Sequence, residues 1–396
     1  MNSLYRFVLL FISIIGLSAK AFSQNDTSRP VKVAIFIPLY TDDVFEGENY
    51  TLGKANLPKT VLPGLEFYNG VMMAIDSLNQ EGSIVEVSIY DTKQTSQSLS
   101  QQLRSPDLNN VGLIIAVISN TIELKLFADY SLSKNIPVIS ATYPNYVGVT
   151  GNTNFVLLNS SFPAHLDGLY KHMQKYYTSN IIIAVTKTGS TETYIRNYIT
   201  QLNKSTTSIP LKIKWITVDE KTVSLANFRS SLDSTKNNVV FVGSPLESFG
   251  LKVVQVLSSS ESYMTTAIGM PTWDGIKELD KPACKNVEIV FSTPFLYYSQ
   301  NKNLSAEVNS RYKEKFYSRP SDMVYKGFEA TFHFTKLLSK HGYNLAKNLS
   351  DKDFTLFNQF VLVPLKTKST SVKPDLLENK KLYFIKKQQG SVKSIM

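Results

Sequence analysis

Short apolar runs alternate with amphipathic stretches along nearly the whole chain. The runs cover residues 31–38, 85–91, 112–118, 137–140, 155–158, 181–185, 211–216, 239–242 and 287–292. Most are rich in Val and Ile at successive positions, so both faces of each strand would be buried. That is the pattern of parallel strands held between helix layers, not of strands with one wet face. The stretches between them carry helical spacing. Leu65, Val71, Met72, Ile75 and Leu78 share one stripe, and residues 122–134, 164–177, 191–202, 225–232, 247–257, 304–316 and 323–341 read the same way. Strands alternating with helices predict βαβ units around parallel sheets.

The strands are too many for one sheet of ordinary size. A polar, turn-rich break at residues 140–154, with Thr142, Tyr143, Pro144, Asn145, Gly148, Gly151 and Asn152, predicts a boundary between two lobes. Near the C-terminus, residues 360–365 and 382–387 look like strands with no long crossover helix between them, which predicts mixed or antiparallel pairing there.

The first residues add a compartment. Arg6 precedes an apolar run at residues 7–17, and Ala21-Phe22-Ser23 offers a small-x-small cleavage pattern before Gln24. Residues 1–23 therefore read as a secretory signal peptide. The run is well short of the roughly 20 residues a spanning helix needs. No Cys stands at the cleavage region to carry a lipid anchor, and no later segment reaches spanning length. A periplasmic or secreted chain with no membrane span after signal removal is the expectation.

Charge and reactive residues exclude more than they assign. Without Arg6 and Lys20 the formal balance falls from +10 to +8, and the charge is dispersed. No basic stripe or recognisable module points to nucleic acid. Cys284 is the single cysteine, so no internal disulfide is expected, and it reads as structural or incidental. His165, His172, His333 and His341 form no His-Glu-x-x-His motif, and no cysteine pair adds a zinc site. A Gly-x-Ser-x-Gly elbow and a phosphate-binding Gly-Lys loop are both missing. The sequence thus points to no catalytic residue, metal or cofactor, and the reading is a non-enzyme.

The order of segments resembles the type I periplasmic binding proteins, the group that includes branched-chain amino acid receptors. Several pieces carry it from residue 31 onward: the opening strand, Gly64-Leu65-Glu66-Phe67-Tyr68-Asn69-Gly70 with Ala74-Ile75-Asp76-Ser77-Leu78-Asn79, and Ile89-Tyr90-Asp91. Val111-Gly112-Leu113-Ile114-Ile115 before Ser119-Asn120-Thr121, Ile136-Pro137-Val138-Ile139-Ser140-Ala141-Thr142, and Tyr325-Lys326-Gly327-Phe328-Glu329-Ala330 complete it. The resemblance implies an α/β fold of two Rossmann-like lobes with parallel sheets joined by a three-strand hinge. It implies residues 24–151 with 295–355 in lobe one, and 152–294 with 356–396 in lobe two. The implied function is capture of a small polar solute between the lobes, delivered to an inner-membrane ABC permease. A sensor or cell-wall regulator of the same fold is the alternative.

Ligands of open α/β sheets bind beyond the carboxyl ends of the strands, which selects the candidate residues. Tyr40 follows the first strand and opens a long connection, 39–62, that reads as a candidate lid. Ser119 and Asn120 follow the third strand; both suit a solute contact, and both suit the capping of a helix. Ala141, Thr142 and Tyr143 follow the fourth. In amino acid receptors of this family the matching small residue and Thr hold the ligand's α-groups, and Thr142 is the leading candidate. Ser160 and Ser161 stand in a loop where those receptors carry an Asp, and its absence argues against an ordinary α-amino acid. Asp167, further on, reads as a solvated helix residue. In the second lobe, Ser244, Thr272 and Trp273 follow strands; Trp273 would stack on a ring or else be buried, and Asp274 reads foremost as a helix cap.

Overall fold

The structure, a computed structural model, describes residues 30–53, 55–297 and 301–395. The signal-peptide reading lies outside them. In chain order the strands are β1 (Val31–Ile37), a small hairpin of β2 (Phe45–Glu46) and β3 (Asn49–Tyr50), β4 (Val85–Asp91), β5 (Leu113–Ala116), β6 (Val138–Ser140) and β7 (Phe155–Leu157). Then come β8 (Ile181–Thr186), β9 (Lys212–Thr217), β10 (Asn238–Val242), β11 (Thr265–Ile268), β12 (Val287–Thr293), β13 (Leu362–Leu365), β14 (Leu376–Asn379), β15 (Tyr383–Gln388) and β16 (Ser391–Ile395). The longer helices are α1 (Leu62–Gln80), α2 (Thr121–Lys134), α3 (Phe162–Tyr176), α4 (Ser190–Ser205), α5 (Glu247–Ser258), α6 (Lys302–Phe316) and α7 (Asp322–His341).

Fourteen strands form two seven-stranded sheets. Sheet one runs β13-β14-β7-β6-β5-β1-β4 and sheet two runs β16-β15-β12-β11-β10-β8-β9. Within sheet one, β14, β7, β6, β5, β1 and β4 pair in parallel. Within sheet two, β12, β11, β10, β8 and β9 do the same. Antiparallel pairing enters these sheets through the C-terminal strands, β13 with β14, β12 with β15, and β15 with β16. The apolar-on-both-faces pattern has its cause here. Val33 to Ile37 of β1 are at most 1% exposed because helices cover both sides.

Those covers are specific. Helices α1, α6 and α7 bury Phe67, Val71, Val308, Phe334 and Leu337 against Ile35 and Ile115. On the other face of sheet one, α2 sets Leu124 and Phe127 on Phe36 and Ile114. Sheet two is covered by α3 and α4 on one face and by α5 on the other. Helices α1 and α7 touch through backbone. A Cβ on Gly70 would lie 2.0 Å from the carbonyl oxygen of Val324, and one on Gly327 would lie 2.2 Å from that of Phe67.

Three connections cross between the sheets: residues 158–161 from β7 to α3, the connection that leaves β12 through residues 294–297 and enters α6 after Asn301, and residues 380–382 from β14 to β15. The sheets thus draw the lobes differently from the sequence expectation. Strand β7 and the pair β13–β14 belong to lobe one, so the first crossing falls near residue 158 rather than 151, and residues 362–379 leave lobe two. The turn-rich break at 140–154 is a loop inside lobe one, and turn chemistry alone does not distinguish the two cases. The sequence pattern also lacked β14, a four-residue strand, and only Ala226–Arg229 of the expected helix at 225–232 is α-helical.

Candidate functional site

Strand direction decides where a site can form. Strands β7 and β14 leave sheet one at their carboxyl ends and enter lobe two, while β12 leaves sheet two at its carboxyl end and enters lobe one. All three run parallel to the central strands of their own sheets. The carboxyl edges of the two sheets therefore face one another across the crossings. Loops after β5 and β7 lead directly into the starts of α2 and α3.

On the lobe-one edge, Tyr40, Ser119, Asn120, Thr142 and Tyr143 come together on the loops after the adjacent strands β1, β5 and β6. Tyr40 takes a left-handed backbone, φ 54°. Its loop is pinned by Asp91 at the end of β4, whose carboxylate accepts the N–H groups of Leu39 (2.9 Å), Tyr40 (3.3 Å) and Thr41 (2.8 Å) and the Thr41 hydroxyl (2.7 Å). The 39–62 connection continues from this anchor into the β2–β3 hairpin, with Phe45 and Tyr50 edge to face on its exposed side. Asn120 caps α2, its Oδ1 accepting from Ile122 and Glu123 at 3.0 Å each. Ser119 is exposed, and its N–H is held by Glu123, which also pairs with Lys93. The Thr142 hydroxyl reaches the Ile118 carbonyl at 3.4 Å, a weak bond, and its own carbonyl receives Asn159 at 2.6 Å.

Two groupings at the seam went unread in the sequence. On one flank, Lys326 of α7 lies 4.7 Å from the centre of the Phe295 ring, with Asp322 and Asp274 close enough to feel its charge. Burial pushes the Lys326 ammonium down against the pull of both carboxylates. Asp274 belongs to lobe two and keeps an exposed surface, yet the protein crowded around it raises its carboxyl, helped by Asp322. It caps no helix, since the one-turn elements beside it begin after Met270 and Ile276. On the other flank, Tyr146 of lobe one lies close enough to Asp167 of α3 and Tyr194 of α4 to feel their charge. Asp167 is half-buried and accepts the Tyr198 hydroxyl at 2.9 Å. No motif announces these groups; helix facing brings them together, and Tyr194 and Tyr198, four apart, were the available signal.

Two open hollows of about 480 Å³ each lie elsewhere. One is beside Lys285 and Lys387 at the amino end of sheet two's strands, and the other is beside Arg104 and Tyr130 on the outer face of lobe one. Neither lies at the carboxyl edge of the parallel strands. Among the described residues, no group of three or more His, Cys, Asp or Glu side chains is placed to hold a metal, and no helix is long and apolar enough to cross a membrane.

By sequence, no protein-family model and no curated protein matches the chain. Solved structures do match in three dimensions. A proposed branched-chain amino acid ABC transporter protein from Rhodospirillum rubrum superposes with a TM-score of 0.65 at 11% identity, over 93% of this chain and all of the other. A branched-chain amino acid transporter substrate-binding protein from Streptococcus pneumoniae, in complex with isoleucine, gives 0.53 at 14% identity over 93% and 99%. A fatty acid ABC transporter substrate-binding protein from Thermomonospora curvata gives 0.51 at 13% over 93% and 92%. The chain has the type I periplasmic binding protein fold.

Within this type I binding-protein fold, six sequence candidates have structural work instead of open polar or aromatic surface. Trp273 is fully buried in the core of lobe two, where Gly250 and Gly269 leave it room, so neither ring face is open to stacking. Ala141 is fully buried in the core of lobe one. Ser244 is buried and donates to Glu192 at 2.6 Å. Ser161 caps α3 and gives its N–H to Glu378, while the Ser160 hydroxyl is bound to the Asn379 carbonyl. Thr272 is half-buried and donates to the Pro245 carbonyl at 2.9 Å. Buried hydroxyls are mostly bound within the protein, and here that took Ser160, Ser161, Ser244 and Thr272 away from a solute.

Proposed function

We propose that this protein captures a small solute reversibly between its lobes, outside the cytoplasm, and hands it to an inner-membrane ABC permease. One observation carries the reading: two parallel sheets present their carboxyl edges to each other and are joined by three short crossings. Such a joint permits closure by small backbone rotations at a few loop residues. The fold neighbours named for isoleucine and fatty acid transport support binding rather than catalysis. Tyr40, Ser119, Thr142 and Tyr143 are the lobe-one contacts, with Lys326 and Asp274 at one flank of the gap.

A thermal-shift screen of amino acids, peptides, sugars, organic acids and amines tests the proposal. One class should stabilise strongly, because a ligand at a hundred times its Kd adds about 2.7 kcal/mol to the native state. The absence of any stabilising solute across all five classes overturns it.

A further inference from the structure

The flank built by Asp167 has a chemistry of its own. Its carboxylate is half-buried, and the Tyr198 hydroxyl is the one donor that reaches it among the described residues. No Lys, Arg or His among those residues comes within ion-pairing distance of it. Phe162, Tyr194 and Tyr198 line up beside it, with ring centres 6.3 Å apart for the first pair and 5.7 Å for the second. The row is open to a guest, since Tyr194 is 44% exposed. Tyr146, on the same lobe-one loop as Thr142 and Tyr143, lies close enough to feel the charge of Asp167. Burial first, and the charge of Asp167 after it, raise the phenols of Tyr194 and Tyr198 above their ordinary range. The other carboxylate near Tyr146, Glu378, is fully buried and already paired with Lys380. An uncompensated carboxylate among aromatic faces is the complement of an ammonium group: the charge meets the charge, and the ring quadrupoles meet the alkyl shell.

We propose that Asp167, ringed by Tyr146, Tyr194 and Tyr198, seats an organic ammonium group, so that the captured solute is cationic. This deepens the solute-capture reading and rests on it. Tyr146 comes from one lobe and the other three residues from the second, so an occupant draws the lobes together.

The test is titration calorimetry and thermal shift on the purified protein, with choline and putrescine as cationic probes and glucose and succinate as controls. A cation should bind and raise the melting temperature. Asp167→Asn and Tyr194→Ala should each weaken that binding at least about tenfold, the factor that about 1.4 kcal/mol represents. Tyr194 is exposed, so its truncation reports on binding even where Asp167→Asn disturbs folding. Equal cation affinity in both variants, or stabilisation by glucose or succinate alone, overturns the cationic assignment and leaves solute capture standing. Silence from every class in the wider screen removes both.

Discussion

The Ser160 hydroxyl donates to the backbone carbonyl of Asn379 at 2.7 Å, tying the first crossing to the end of β14, where the third crossing begins, across 219 residues of sequence. Asn379 returns the tie through its own amide, which donates to the Leu158 carbonyl at 3.1 Å. Both residues are fully buried. Ser160→Ala should therefore leave a buried carbonyl without its partner and cost about 1–3 kcal/mol, measured by urea denaturation. If Ser160 were instead a solute contact, the same change would weaken ligand binding with little loss of stability.

A second joint near the crossings is sensitive to pH. Glu329 on α7 is buried, and its carboxylate accepts the N–H groups of Phe357 (2.8 Å) and Asn358 (2.6 Å) and the Asn358 side-chain amide (2.7 Å). Asn358 in turn receives the N–H of Leu296 in the second crossing. Burial pushes the Glu329 carboxyl up to about 7 against the pull of those donors. Its folded value lies above the unfolded one, so the native state holds the proton more tightly. The stabilisation linked to this group is whole below about pH 4.5 and is lost as pH rises through about 7. Glu329→Gln should flatten this slope, which is worth up to about 3 kcal/mol. Denaturation curves at about pH 5 and about pH 8 in both proteins check it.

Gly70 and Gly327 bring α1 and α7 into backbone contact, and neither has room for a methyl group. An Ala at either place drives a Cβ against a carbonyl oxygen of the partner helix, and backbone moves less readily than a side-chain tip. Each substitution should cost at least about 1–3 kcal/mol and lower the melting temperature, with no dependence on solute. An Ala at Gly82, where nothing lies within 4 Å, is strained by its φ of 73° alone and serves as the contrast.

The layered α/β architecture was legible because buried parallel strands write themselves as unbroken Val and Ile runs, and β1, β8 and β10 did so without ambiguity. The lobe boundaries were not. The assignment of β7 and β14 to lobe one depends on which sheet edge each finds, a long-range choice that no local pattern records. Residues around the gap divide on the same line. Tyr40, Ser119, Asn120, Thr142 and Tyr143 follow strand ends, and strand ends are visible in sequence. Trp273 was left open between stacking and burial, and the glycines that make room for it, Gly250 and Gly269, sit on different elements. The Asp167 group was missed for a related reason: it draws on a lobe-one loop and two lobe-two helices, and its nearness exists only after the lobes are in place.

Asp91 offers the sharpest test of the 39–62 connection. Its carboxylate holds Leu39, Tyr40 and Thr41 on one side and the N–H of Lys93 (2.9 Å) on the other, so a single side chain joins the loops after β1 and β4. Asp42, one residue beyond Thr41, adds a second tie by accepting the N–H of Thr95 at 2.7 Å. An Ala at position 91 leaves those N–H groups without an acceptor and frees the root of the hairpin. Amide hydrogen exchange should then accelerate by tenfold or more at residues 39–51, the factor that about 1.4 kcal/mol of lost local stability represents. The strands of sheet two should exchange as before, because no bond of Asp91 reaches them. An unchanged pattern at residues 39–51 would mean that the hairpin is held by its own packing, with Val44 as its buried foot.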